Sequence, residues 1–269
     1  MNGTERPASI RELRRIVFDD QKRKIEPVLS TWTYRHVSVF LTWLLVRTPI
    51  TPNQLTFSGI LLGVGGCILL ALPDARMGLV GCLVLHVGYL FDCADGEVAR
   101  YKSLSSNMGV FLDKYSHAIL MPALFLAAGV HFYFAQGNRL AFVLVGAVSG
   151  YAAYSPSLRT YFTALYFLST KSKYPQYSQE NLERQLVPKR SKKVRSALYR
   201  FGRQFFRHAT YNYLLTAIWL VNLRRPVLGA QIWVGLASMV ILKDLVTLAQ
   251  IWRQGRIEKT LHRIGKFKP

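Results

Sequence analysis

The chain has 269 residues, 51% of them hydrophobic, and 35 Lys or Arg against 14 Asp or Glu give a formal net charge of +21. The length admits one large or two small water-soluble domains, but the apolar residues gather in runs of about 20, the length that crosses a bilayer, which argues against an ordinary soluble core. So large a positive excess leaves two classes of partner, nucleic acid and an anionic membrane surface.

Residues 8–50 mix Arg, Lys and apolar residues at helical spacing and end in the apolar stretch 37–46. This pattern predicts an amphipathic helix lying on the cytoplasmic leaflet. An extra span over 34–50 is countered by Arg35 and Arg47. The first thirty residues lack an apolar core, so no cleavable signal peptide is expected.

Six spans follow, over residues 54–72, 77–98, 108–134, 140–168, 211–223 and 227–252, the fifth being the shortest. Between the fourth and fifth, residues 171–208 form a polar, basic segment with Pro175 and Pro188, read as a cytoplasmic loop touching acidic headgroups. The expected fold is therefore an all-α integral membrane protein. Residues 1–50 form an N-terminal segment with an interfacial helix, 51–253 a six-helix transmembrane domain, and 254–269 a basic tail.

Basic residues alternate in sidedness. Arg6 to Arg47, Arg100, Lys102, the run from Lys171 to Arg207 and the tail from Arg253 to Lys268 fall on one side; Arg76, Arg139, Arg224 and Arg225 fall on the other. By the positive-inside rule both termini, and the turn after Arg100, face the cytoplasm. This placement favours the membrane, and no nucleic-acid partner is expected. Cys67, Cys82 and Cys93 have no zinc-like spacing and read as small buried hydrophobes. His36, His86, His131 and His262 show no partner spacing.

The second and third spans carry an unusual load: Asp92, Asp95, Gly96, Ala99 and Arg100, then Gly109, Asp113 and His117. A carboxylate in a membrane helix costs roughly 2.5–3.5 kcal/mol on insertion scales, so such a cluster implies a ligand. Positions three or four apart share a helix face. An antiparallel hairpin turning near Leu104 would set Arg100 against Gly109, Asp95 against Asp113, and Asp92 level with His117. Three acids among small residues suit a hard divalent cation, and Arg100 offers a fork for phosphate. Together they read as a metal-bridged diphosphate site.

The pattern D-x2-D-G-x2-A-R-x8-G-x3-D-x3-H resembles the signature of the CDP-alcohol phosphotransferase family, which ends in Asp where this chain has His117. The other seven fixed positions match, and Thr51-Pro52-Asn53-Gln54-Leu55-Thr56 is similar to the family's entry into its first span. The resemblance implies transfer of a substituted phosphate from a CDP-linked lipid or alcohol donor, CDP-diacylglycerol above all, to an alcohol acceptor with release of CMP. It implies Mg²⁺ or Mn²⁺ held by Asp92, Asp95 and Asp113, and a CDP site built from Asn53, Thr56, Asp95, Gly96, Ala99, Arg100 and Gly109. It also implies a homodimer, with membrane lipids as further partners. In the family the last acid is the proposed base for the acceptor hydroxyl, so His117 is expected to be the catalytic base here. Arg159, Lys171, Arg207 and His208 are candidates for binding the acceptor. Two other classes remain open: a degenerate relative that binds nucleotide or metal without catalysis, and a membrane cation transporter.

Overall fold

The computed structural model describes residues 9–17, 33–170 and 208–253. Among these residues there is no strand, and eight helices account for the regular structure. They are α1 (Ile10–Val17), α2 (Tyr34–Leu45), α3 (Pro52–Ala71), α4 (Ala75–Tyr101), α5 (Asn107–Ala135), α6 (Ala141–Thr170), α7 (His208–Asn222) and α8 (Pro226–Arg253).

Among the described residues, five helices are long and apolar enough to cross a membrane: Pro52–Ala71, Ala75–Tyr101, Asn107–Ala135, Ala141–Leu158 and Pro226–Gln250. The six expected spans therefore meet five. The exception is α7, with 15 residues. At 1.5 Å per residue it rises only about 22 Å, short of the ~30 Å hydrocarbon layer.

Local chemistry fixes the helix starts. Thr51 and Gln54 form a capping box: the Gln54 amide donates to Thr51 Oγ1 and the Thr51 amide to Gln54 Oε1, with Pro52 opening the helix. Asp74 caps α4 through the Arg76 amide at 2.9 Å. Ser106 caps α5 through the amide of Gly109, at 3.0 Å. One motif glycine is thereby anchored at the mouth of its helix.

Helix α3 is the organising element. It packs extensively against both α4 and α5, whereas α4 and α5 barely touch each other. The simple hairpin expected from the motif thus has a wedge in it, and the two acidic stripes face a gap rather than a packed seam. The α3–α4 contact depends on small residues. At Gly81 a Cβ would stand 2.6 Å from the Leu70 amide nitrogen and 2.7 Å from the Gly66 carbonyl oxygen, so only glycine lets the two backbones approach. The opposite face of α3 leaves Phe57, Leu61, Val64 and Ile68 exposed at helical spacing, a stripe suited to lipid.

The main core lies away from the motif, where Phe125 and Phe132 of α5, Tyr211, Leu215 and Trp219 of α7, and Trp233 of α8 are all buried. A second cluster joins α1 and α2 to the motif helix through Leu13, Val17, Val39, Leu45, Leu55, Ala94 and Val98. The N-terminal region thus supplies two described helices where one was expected. Helix α1 buries Leu13 and Val17 against protein, leaving Arg11, Glu12 and Arg15 exposed. Helix α2 turns Ser38 and Thr42 inward and leaves Val37, Phe40 and Leu44 exposed, so its outer face is the apolar one.

Replacing Gly81 with Leu is expected to abolish the α3–α4 approach and to cut the yield of monodisperse protein in detergent by more than the same change at Gly65. A Cβ at Gly65 meets nothing within 4 Å.

Candidate functional site

One face of α4 carries half-buried Asp92, Asp95, Gly96, Ala99 and Arg100, while Cys93, Ala94, Glu97 and Val98 are buried on the other. Opposite, α5 presents Gly109, Asp113 and His117 at successive turns, each partly exposed. The gap between them is where the expected site residues meet.

Asp92, Asp113 and His117 each place one ligand atom within 4.8 Å of the other two. Within α5, Asp113 Oδ1 stands 3.7 Å from His117 Nε2, beyond hydrogen-bond length. Asp113 Oδ2 pairs with Lys114 Nζ at 2.6 Å on the exposed side. Two donors on a shared ion at about 2.1 Å stand at most about 4.2 Å apart. The three groups stand close to that spacing and form a group that could hold a metal ion.

Asp95 is held differently. Thr56 Oγ1, which also lies 3.1 Å from the Pro52 carbonyl, donates to Asp95 Oδ2 at 2.5 Å. Asp92 and Asp113 are both near enough to interact with its charge. Asp95 therefore belongs to the same electrostatic cluster, with α3 supplying its hydrogen bond.

The remaining expected residues line the rim. The Arg100 guanidinium folds back over Gly96, where a Cβ would meet Nη1 at 3.3 Å, and Arg100 Nε donates to the Val17 carbonyl that ends α1 at 3.0 Å. Asn53 approaches Gly109, with Oδ1 3.5 Å from where a Cβ would be. Ala99 lies half-buried on the same stripe.

A narrow cavity of about 20 Å³, the room of one water, runs inward from the acids. Asp92, His117, Ser116 and Thr56 line its polar part; Gly59, Gly63, Gly88 and Leu120 line its apolar part. His208 also lines it, edge-on to His117 with ring centroids 5.1 Å apart. The His208 Nδ1 atom is buried and without a hydrogen-bond partner. Of the four acceptor candidates, then, His208 reaches the cavity. Arg159 falls on α6, and Lys171 and Arg207 lie outside the described residues.

Sequence reasoning missed Glu97. It occupies a variable position of the motif, yet its side chain is fully buried and completely bonded. Arg35 Nη1 donates to Oε1 at 2.8 Å, Ser38 Oγ to Oε1 at 2.7 Å and Thr42 Oγ1 to Oε2 at 2.7 Å. The signal was available: an uncompensated acid on the buried face of α4 needs a cation, and Arg35 is the charge that argued against a span. Two further ties brace the same helices. Lys102 Nζ donates to the carbonyls of Thr48 and Ile50 at 2.8 Å each, and partial burial lowers its pKa below the ordinary lysine value. Tyr34 hydrogen-bonds His86 Nδ1, and burial raises its phenol pKa. His86 Nε2 in turn meets Thr216 Oγ1 at 2.9 Å, linking α2, α4 and α7.

Residues 49–171 match the profile of the CDP-alcohol phosphatidyltransferase family. A bifunctional IPC transferase and DIPP synthase of Rubrobacter xylanophilus is 36% identical over 97 residues, covering 35% of this chain and 22% of that protein. The chain thus matches about a fifth of that relative's length.

Replacing Glu97 with Ala leaves the half-buried Arg35 without this carboxylate. Removing one partner of a buried pair costs about 3–5 kcal/mol. The variant is expected to show a clearly lower thermal midpoint in detergent, measured by intrinsic fluorescence, while Glu97→Gln loses less because some of its hydrogen bonds remain.

Proposed function

With residues 49–171 a CDP-alcohol phosphatidyltransferase domain, we propose that the chain is an integral membrane phosphotransferase. It moves a substituted phosphate from a CDP-linked donor, CDP-diacylglycerol by preference, to an alcohol acceptor and releases CMP. The observation that carries this reading is the convergence of Asp92, Asp113 and His117 beside a cavity that turns apolar within the bundle.

A divalent ion such as Mg²⁺ or Mn²⁺, when bound by these groups, would neutralise charge on the diphosphate. The chain's own residues bind and orient. Arg100, steadied by the α1 carbonyl, lies over bare Gly96, where a phosphate can approach the backbone. Asn53, Ala99 and Gly109 frame the same rim, and Thr56 fixes the Asp95 carboxylate. The acceptor oxygen forms a bond to the phosphorus distal to cytidine as the bond from that phosphorus to the bridging oxygen breaks. The hydroxyl proton has two imidazoles at the cavity to receive it, His117 and His208.

The topology proposed has six crossings, with α7 as a short sixth span and both termini in the cytoplasm. Charge sidedness supports it: an even number of crossings is needed to put the basic N-terminal segment and the basic tail on one side. Homodimerisation belongs to the same reading.

Two experiments test this. Purified protein given CDP-diacylglycerol, Mg²⁺ or Mn²⁺ and a panel of alcohols is expected to release CMP with at least one acceptor. Asp113→Asn should lower that rate by roughly 100-fold, the scale seen when one electrostatic stabiliser is removed. No CMP with any acceptor, together with cation flux in liposomes, would favour the transporter reading. For topology, Arg225→Cys is expected to react with an impermeant thiol reagent from the non-cytoplasmic side. The native Cys67, Cys82 and Cys93 are buried and give little background. Labelling of position 225 from the cytoplasmic side would remove α7 from the spans.

A further inference from the structure

We infer that α1 is a positioning strap for the nucleotide site: docked on the motif helix, it aims the Arg100 guanidinium and so sets the affinity for a cytidine diphosphate group. This role rests on the phosphotransferase reading for the identity of the ligand. Helix α1 itself lies outside the family profile, which begins at residue 49.

Eight residues are too few for a helix to persist alone in water, so α1 depends on what it touches. It is closed at both ends. The Glu12 amide donates to Ser9 Oγ at 3.2 Å and caps the start. At the finish, Val17 carries one of the last carbonyls, which find no partner within a helix. Arg100 Nε donates to that carbonyl at 3.0 Å and places a cation at the negative end of the helix dipole. Leu13 and Val17 are buried in one cluster with Leu55 of α3 and with Ala94 and Val98 of α4. Docking and helix formation are therefore one event, and the bond from Arg100 is part of it.

Arg100 sits in the last turn of α4. A long side chain at a helix end has many rotamers open to it. This one turns back along its own helix, with Nη1 and Nη2 at 3.3 and 3.9 Å from where a Gly96 Cβ would be. A guanidinium meets an oxyanion on either of two edges, Nε with one Nη or both Nη together. The Val17 carbonyl takes Nε, so the edge presented to a phosphate is the pair of Nη groups, lying over Gly96. With α1 undocked, neither the edge nor its direction is fixed.

The coupling runs both ways. If docked α1 strengthens diphosphate binding, bound diphosphate strengthens the docking of α1 by the same factor.

The test uses the full-length protein in nanodiscs with Mg²⁺, and cytidine diphosphate as the probe. Leu13→Asp puts a carboxylate into the apolar cluster and undocks α1, and Leu13→Ala loosens it. By calorimetry the dissociation constant is expected to rise about tenfold in Leu13→Asp, the scale of one hydrogen bond to a charged group, and less in Leu13→Ala. Arg100→Lys keeps the charge but has a single nitrogen, which cannot serve a carbonyl and a phosphate as one rigid fork. Adding Leu13→Asp to Arg100→Lys should therefore change the constant by less than about twofold. In hydrogen exchange, cytidine diphosphate should slow the amides of residues 14–17 in the wild type and not in Arg100→Lys. Equal weakening by Leu13→Asp in both backgrounds would overturn the inference, because α1 would then act on the fold and not through Arg100. So would wild-type affinity in Leu13→Asp, or α1 amides indifferent to the nucleotide. Should Leu13→Asp fail to fold, Leu13→Ala and the exchange measurement decide the matter in the same way. A wild type that does not bind cytidine diphosphate would sink the phosphotransferase reading and this role with it. Binding that undocking leaves intact would sink this role alone.

Discussion

Three carboxylates of like charge converge between apolar helices, and each would be expensive there without a counter-charge. That repulsion constrains the surroundings. Asp92 and Asp95 sit one turn apart on α4, Asp113 approaches from α5, and α3 keeps the two helices from packing shut. If α4 and α5 met directly, the acids would be crushed together without room for a cation. The wedge thus converts an electrostatic problem into a binding site.

The back of α4 solves a second problem. A helix that must present charge on one side needs to be held firmly on the other. Close backbone contact with α3 at Gly66 and Gly81 does this toward the far end. Near the motif, the buried Glu97 gathers Arg35, Ser38 and Thr42 from α2. Helix α1 adds a carbonyl for Arg100. The N-terminal helices are therefore more than a surface anchor. Their polar and buried faces set the register and direction of the motif helix, while the outer apolar face of α2 remains available to lipid.

Much of this was legible in the chain. The span over 77–98 inside Ala75–Tyr101 and that over 108–134 inside Asn107–Ala135 follow from periodicity. The level of Asp92 with His117 follows from counting turns, and these two residues do share a cluster with Asp113. Relations between distant segments were not legible. Glu97 and Arg35 are 62 residues apart and Arg100 and Val17 83 apart, and nothing in either local pattern names its partner. His208 reaches His117 only because α7 packs against α4, a choice made by buried aromatic residues and not by any motif. The expected span over 211–223 is the one that helix length does not support, for a related reason. Hydropathy marks α7 as apolar, but much of that apolar surface is spent on the core, with Tyr211, Leu215 and Trp219 fully buried.

Locating the ion tests the account most directly. Anomalous scattering from crystals grown with Mn²⁺ and a cytidine diphosphate ligand is expected to give a peak bounded by Asp92, Asp113 and His117, with the diphosphate between it and Arg100. A peak elsewhere in the protein, or a diphosphate bound away from these side chains, would contradict it.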